Sequence, residues 1–121
     1  MSVLLLVLTC VLIGVIGQLA MKKGMNVVGV ISLKDIFSWR IFQIVFQRYV
    51  FIGIVLYVLA SLIWLVVLSK EELSFVYPLI SIGYLITAIL SKIFFNEILT
   101  VFRFFGIILI CSGVYLIVMK I

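Results

Sequence analysis

Histidine is absent from this 121-residue chain, and acids are few: Asp35, Glu71, Glu72 and Glu97 are the only four. The two cysteines, Cys10 and Cys111, lie far apart inside apolar stretches and make no CxxC spacing. No ligand set for a metal can be drawn from that inventory, so no metal and no cofactor is expected, and the thiols read as small hydrophobes. The same scarcity leaves no nucleophile and base constellation, and an enzyme is not expected. Charged residues make up 11% of the chain against 68% hydrophobic ones, with a mean hydropathy of +1.56. A soluble domain of this size cannot hide so much apolar surface, so the solvent is largely lipid. Nine Lys and Arg residues against four acids give a net charge of +5. On a soluble chain that would suggest nucleic acid, but here the basic residues flank apolar runs and read as topology determinants; no nucleic-acid partner is expected.

What is present is length without charge. A helix needs about 20 mostly apolar residues to cross a hydrocarbon core, and four stretches meet or approach that: Ser2 to Met21, Tyr49 to Leu68, Phe75 to Ser91, and Phe104 to Met119. The expected fold is all-α, a single four-helix integral membrane bundle over residues 1–121. The first stretch lacks the basic start and small-residue cleavage site of a signal peptide, so it is expected to be retained.

The connections differ in length. In "SKEELS", Ser74 is the expected N-cap of the third helix, with Glu71 and Glu72 near its positive end. In "KIFFNEILTVFR", Asn96 and Glu97 supply the turn before the fourth helix. The long first connection holds "LKDIFSWRIFQIVFQR", where Arg40, Gln43 and Gln47 fall on one helical face. That pattern predicts an interfacial helix over residues 35–48 anchored by Trp39; a partly ordered loop whose aromatics dip into the headgroups is the alternative. The connections after the first and third helices carry Lys22, Lys23, Lys34, Arg40, Arg48, Lys92 and Arg103, against Lys70 and Lys120 on the other side. Positive-inside bias then puts both termini outside the cytoplasm.

No acid lies deep in any of the four stretches, whereas proton- or sodium-coupled transporters usually keep a carboxylate at mid-membrane. The polar groups that do lie there are uncharged. Gln18 is the costliest, because its amide brings two donors and an acceptor into a waterless region. It either bonds to a neighbouring helix as glue or faces a cavity and binds a polar substrate group, and Gly14 and Gly17 leave room beside it. Trp64, Tyr77 and Tyr84 can line such a cavity, with Tyr77 set beside Pro78 and one turn before Ser81. Pro78 removes a backbone donor early in the third helix and is expected to open or bend it there. Gly106 and Gly113 share a face of the fourth helix, which suits either a subunit contact or close packing within the chain, and Gly14 and Gly17 are the further glycines expected at helix packing or a dimer contact.

Four segments in order, "GQLAMKKG", "LSFVYPLISIGY", "SKIFFNEILT" and "GIILICSGVYLI", resemble the drug/metabolite transporter superfamily, in its small four-helix EamA-type form. Two branches are relevant. One is the small multidrug resistance family of proton-coupled exporters of cationic compounds. The other comprises paired small subunits like those of the aminoarabinose-phosphoundecaprenol flippase, which moves a lipid-linked sugar across the inner membrane. The first branch carries an essential glutamate in its first helix at the position of Gly14 here, so its coupling residue is missing. The "FFNEILT" turn, with Glu97 as its acid, and the long basic first connection resemble the flippase side.

The resemblance implies a transporter or flippase subunit in the inner membrane, moving a polyprenyl-phosphate glycolipid or a related amphiphile. On that reading Lys22, Lys23 and Lys92 cluster at the cytoplasmic helix ends and receive the phosphate, unless they merely snorkel. Gln18, Trp64, Ser81 and the tyrosines Tyr77 and Tyr84 then face the sugar. Because transporters of this kind are built from halves of opposite topology, and the charge bias orients this chain one way, a second small four-helix subunit is the expected partner, with a homodimer as the other possibility. The alternatives are a small multidrug resistance-like exporter with another coupling residue, and a non-transporting scaffold subunit.

Overall fold

A computed structural model describes residues 3–119. Ser2, the expected first residue of the first helix, and Lys120, one of the two basic residues on the less charged side, lie outside them. The described residues are almost entirely helical and contain no strand. The elements are α1 (Val3–Val28), α2 (Leu33–Ile36), α3 (Arg40–Val45), α4 (Arg48–Lys70), α5 (Leu73–Val76), a 3-10 turn (Pro78–Ser81), α6 (Ile82–Phe95) and α7 (Val101–Val118). Four spans are long and apolar enough to cross a membrane: α1, α4, the composite Leu73–Phe95, and α7. The protein is a multi-pass membrane protein of all-α, four-helix architecture.

Local chemistry sets the ends of the helices. The lysine pair does not stop α1, which runs past Met21 until Gly29 turns to φ +95° and donates its N–H to the Met25 carbonyl at 2.8 Å. Only glycine enters that left-handed region without cost. Asn96, at φ 53°, ends α6 in the same way, and the polar turn before α7 follows it. Thr100 starts α7 by accepting the Arg103 N–H at 3.2 Å, and Gln47 starts α4 by accepting from the Tyr49 and Val50 N–H groups at 2.8 and 3.0 Å.

The third span departs from expectation at its start. Ser74 is not the cap: Glu72 takes the extended N-cap geometry (φ −68°, ψ 140°), so the helix begins at Leu73 and Ser74 lies within its first turn. Pro78 then breaks the span into α5 and α6, with the tighter 3-10 turn between them. In the first connection, residues 35–48 form two short helices, α2 and α3, and the start of α4. Asp35 accepts the Ser32 N–H at 2.9 Å and pairs with Arg40 at 3.5 Å. Gln47 is spent on its capping role, while Phe37 and Trp39 are 84% and 85% exposed.

The four spans run up and down. The Lys22 ammonium lies 3.9 Å from the Glu97 carboxylate, which places the end of α1 beside the α6–α7 turn. The Trp64 ring meets the Tyr77 ring edge-on, pairing the far end of α4 with the start of the third span. That far end holds the core, where Val7, Cys10, Val11 and Val15 of α1 meet Val67, Val76, Leu79 and Val114. Nearer the basic end, α1 and α4 touch backbone to backbone. A Cβ on Gly53 would stand 2.6 Å from the Gly17 carbonyl oxygen and 2.9 Å from the Met21 nitrogen, and one on Gly24 would stand 2.7 Å from the Val50 nitrogen. Lipid tails are as apolar as these side chains, so such close van der Waals contact, rather than expulsion of water, holds the helices together.

Candidate functional site

A cleft of about 570 Å³ opens between α1, α4 and the third span. Helical spacing brings its walls together. Cys10, Gly14 and Gln18 follow one another at four-residue steps on α1; Tyr57, Ser61 and Trp64 share a face of α4; Ile80, Tyr84 and Thr87 do the same on the third span. Tyr77, at the proline break, completes the rim. Every lining residue is uncharged. The cleft is therefore aromatic and hydroxyl-rich, suited to neutral polar groups and carrying no fixed charge that would have to be neutralised.

Gln18, Trp64, Tyr77 and Tyr84 all line this cleft. The Gln18 side chain is exposed and makes no hydrogen bond to another described residue, so within the chain it is not interhelical glue. Gly14 also lines the cleft, and a Cβ there would meet nothing within 4 Å. It widens the space beside Gln18 instead of packing a helix against α1. The Trp64 and Tyr77 ring centroids lie 6.5 Å apart at 65°. That edge-on pair forms a broad aromatic corner with the tyrosine hydroxyl left open.

Other expected site residues lie elsewhere. Ser81 is not among the lining residues; its hydroxyl donates to the Pro78 carbonyl, a local use that steadies the 3-10 turn. The three lysines do not converge. Lys22 pairs with Glu97, Lys23 sits 4.5 Å above the Tyr49 ring, which Arg48 also flanks at 4.9 Å, and Lys92 is exposed without a partner among the described residues. Lys22 stands one turn beyond Gln18 on α1, yet it lines neither the cleft nor a shared phosphate cradle.

Of the four glycines expected at contacts, only Gly17 meets a neighbour; Gly14, Gly106 and Gly113 have open space where a side chain would be. The packing glycines that sequence reasoning overlooked are Gly24, Gly53 and Gly83, the last of which lets α6 approach Val11 and Val15 of α1. Thr87, Tyr57 and Ser61 were also missed as cleft residues. Their signal was helical spacing: Thr87 lies three residues after Tyr84, Ser61 three before Trp64, and Tyr57 four before Ser61.

A second hollow, of about 400 Å³, lies between α6, α7 and the turn that joins them. Tyr84 and Thr87 belong to both spaces, so the two adjoin. Unlike the cleft, the hollow has charge at its wall: Glu97, and Arg103, whose guanidinium donates to the Ile98 carbonyl at 3.1 Å.

Comparison with known proteins gives this geometry its setting. Residues 27–119 match the EamA-like transporter family. The chain is 36% identical over 110 residues to the probable 4-amino-4-deoxy-L-arabinose-phosphoundecaprenol flippase subunit ArnF of Proteus mirabilis, covering 87% of this chain and 83% of that one. It is 30% identical over 121 residues to the probable subunit ArnE of the same flippase in Pseudomonas fluorescens, covering 96% of each chain. A further probable ArnF subunit, from Serratia proteamaculans, is 32% identical over 111 residues, covering 88% of this chain and 85% of its own. No solved structure matches at a significant level. Four apolar spans around a polar, uncharged cleft, together with the match over most of the chain, identify this protein as a membrane transporter belonging to the EamA-like transporter family.

Proposed function

We propose that the chain is one subunit of a flippase that carries a lipid-linked sugar across the inner membrane. The observation that carries this reading is the chemistry of the cleft: amide, hydroxyl and aromatic groups without an acid or base, beside a helix with no mid-membrane carboxylate. Sugar hydroxyls are recognised by such groups, with ring faces stacking on aromatics and hydroxyls exchanging hydrogen bonds with an amide. A polyprenyl tail needs no enclosure, because it stays in the bilayer while the head crosses. With no carboxylate and no basic side chain in the cleft to exchange a proton for substrate, movement follows the gradient of the lipid. Gly14 stands where a proton-exchanging carboxylate would be needed, which weighs against an exporter of the small multidrug resistance kind.

Similarity to both the ArnE and ArnF types supports a two-subunit assembly. The basic residues favour one orientation, with both termini outside the cytoplasm, and the partner is then a second four-helix subunit inserted the opposite way. The test is reconstitution with a candidate partner into liposomes holding a polyprenyl-phosphate aminosugar, read by the accessibility of the sugar amine to an impermeant reagent. Transfer that requires both subunits and ignores the proton gradient supports the reading. Proton-linked release of quaternary ammonium compounds instead would identify a drug exporter, and undiminished transfer by Gln18→Ala would fit a scaffold whose partner holds the site.

A further inference from the structure

We infer that the hollow between α6 and α7 is a separate receiving station for a phosphate headgroup, held by Arg103, from which the head passes into the uncharged cleft. This inference rests on the flippase reading and names a different phosphate-binding group from the lysines. Three observations point to it.

First, the hollow is amphiphilic along its length. Arg103 and Glu97 stand at the end formed by the α6–α7 turn, while Ala88, Ile107 and Ile110 carry it along the two helices as a mainly apolar slot that also holds the Thr87 and Ser91 hydroxyls. A charged mouth continued by an apolar slot fits a lipid phosphate, whose charge and chain are joined; it does not fit inorganic phosphate, which has no use for the slot. Second, Arg103 retains free donors. One of its N–H groups bonds the Ile98 carbonyl and fixes the side chain, leaving others of the planar fork for phosphate oxygens, and a guanidinium matches those in pairs. Third, the carboxylate that would repel a phosphate is partly offset, because Glu97 faces the Lys22 ammonium at 3.9 Å.

The two spaces adjoin through Tyr84 and Thr87. A headgroup bound at Arg103 thus has its sugar next to the hydroxyl-bearing wall of the cleft. Charge is recognised at the turn, where water and headgroups reach it, and only neutral groups are met further in, where desolvating a fixed guanidinium would be costly.

The experiment uses the full chain in phosphatidylcholine nanodiscs with undecaprenyl phosphate, with undecaprenol, or with neither plus inorganic phosphate in solution, and reads bound lipid or ion by native mass spectrometry. Losing a charge-assisted hydrogen-bonding partner is expected to lower undecaprenyl phosphate binding by about tenfold or more in Arg103→Gln. Arg103→Lys should restore part of it, and Glu97→Gln should raise it. Undecaprenol binding should be unchanged in all three, which also shows that each variant is folded. Equal undecaprenyl phosphate binding by wild type and Arg103→Gln overturns the station while leaving the flippase reading in place. Binding of inorganic phosphate that depends on Arg103, without binding of the lipid, overturns the lipid as its source. A wild type that binds no undecaprenyl phosphate overturns both readings.

Discussion

Helix α1 meets α4 so closely that Gly17 and Gly53 leave no room for a methyl group between them, whereas Gly106 and Gly113 of α7 have nothing within 4 Å. Burial follows the same gradient along the chain, from 28% of the first span and 22% of the second to 6% of the fourth. In water such a bare fourth helix would be unstable; in lipid it is tolerated, because apolar side chains lose nothing by facing acyl chains. The difference teaches where the molecule is rigid and where it is free to be covered or moved. The α1–α4 pair is a fixed spine, while α6 and α7 lean on it mainly through the core at the far end. The cleft lies between that spine and the third span, and the hollow lies within the looser half.

The strongest way to break that comparison is to place the same side chain on both halves. Gly53→Leu drives carbon into the Gly17 carbonyl and the Met21 backbone, neither of which can swing aside, and should destabilise the chain by on the order of 3 kcal/mol. Gly113→Leu enters open space and should change stability by less than about 0.5 kcal/mol. Thermal unfolding of the two variants in the same detergent checks the pair of outcomes. Equal melting would mean that the α1–α4 crossing is looser than its geometry.

Next in size is the cleft. Gln18→Leu keeps the volume of the side chain but removes the amide, which has no partner among the described residues to leave unsatisfied. Stability should hold, and transfer of the lipid-linked sugar should fall by roughly tenfold, the weight of one hydrogen bond lost at the transition state. Liposome transfer rates set against melting temperature separate this from a packing role, since glue would cost both.

How far the residues could be read without coordinates varied with the kind of signal. The four spans were legible because length and hydropathy are local properties, and Pro78 and Asn96 announced their breaks through backbone chemistry of their own. Gln18, Trp64, Tyr77 and Tyr84 stood out as polar or aromatic groups in an apolar setting, and all four line one cleft. Pairing between helices was less legible. Gly53 and Gly24 look like any other glycines until α1 lies against α4, and Gly106 and Gly113 look like a packing stripe although nothing among the described residues packs there. The lysines misled for a similar reason: nearness in sequence placed Lys22 and Lys23 together, but adjacent residues on a helix point about 100° apart, toward Glu97 and Tyr49 respectively.

A smaller effect probes what covers the loose half. If a second subunit lies on α7, Gly106→Leu with Gly113→Leu should leave the melting of the isolated chain near wild type yet weaken co-purification with that subunit by about tenfold, the result of overfilling a close helix contact. Unchanged association would assign this face to lipid and move the subunit contact elsewhere.

The smallest expected effect concerns the one ion pair between the two halves among the described residues. Lys22 on the spine and Glu97 on the α6–α7 turn are 3.9 Å apart, with side chains 52% and 43% exposed, so solvent screens them and their attraction is slight. A double-mutant cycle of Lys22→Gln and Glu97→Gln should return a coupling of about 0.2–1 kcal/mol that shrinks further in high salt. Close backbone contact at Gly53 would then outweigh charge at the seam by severalfold, leaving α6 and α7 able to part from α1 at the basic end without first breaking a strong bond. A coupling well above that range would reverse the ranking. It would make the pair a latch on the mouth of the hollow, and removing it should speed transfer rather than merely soften the fold.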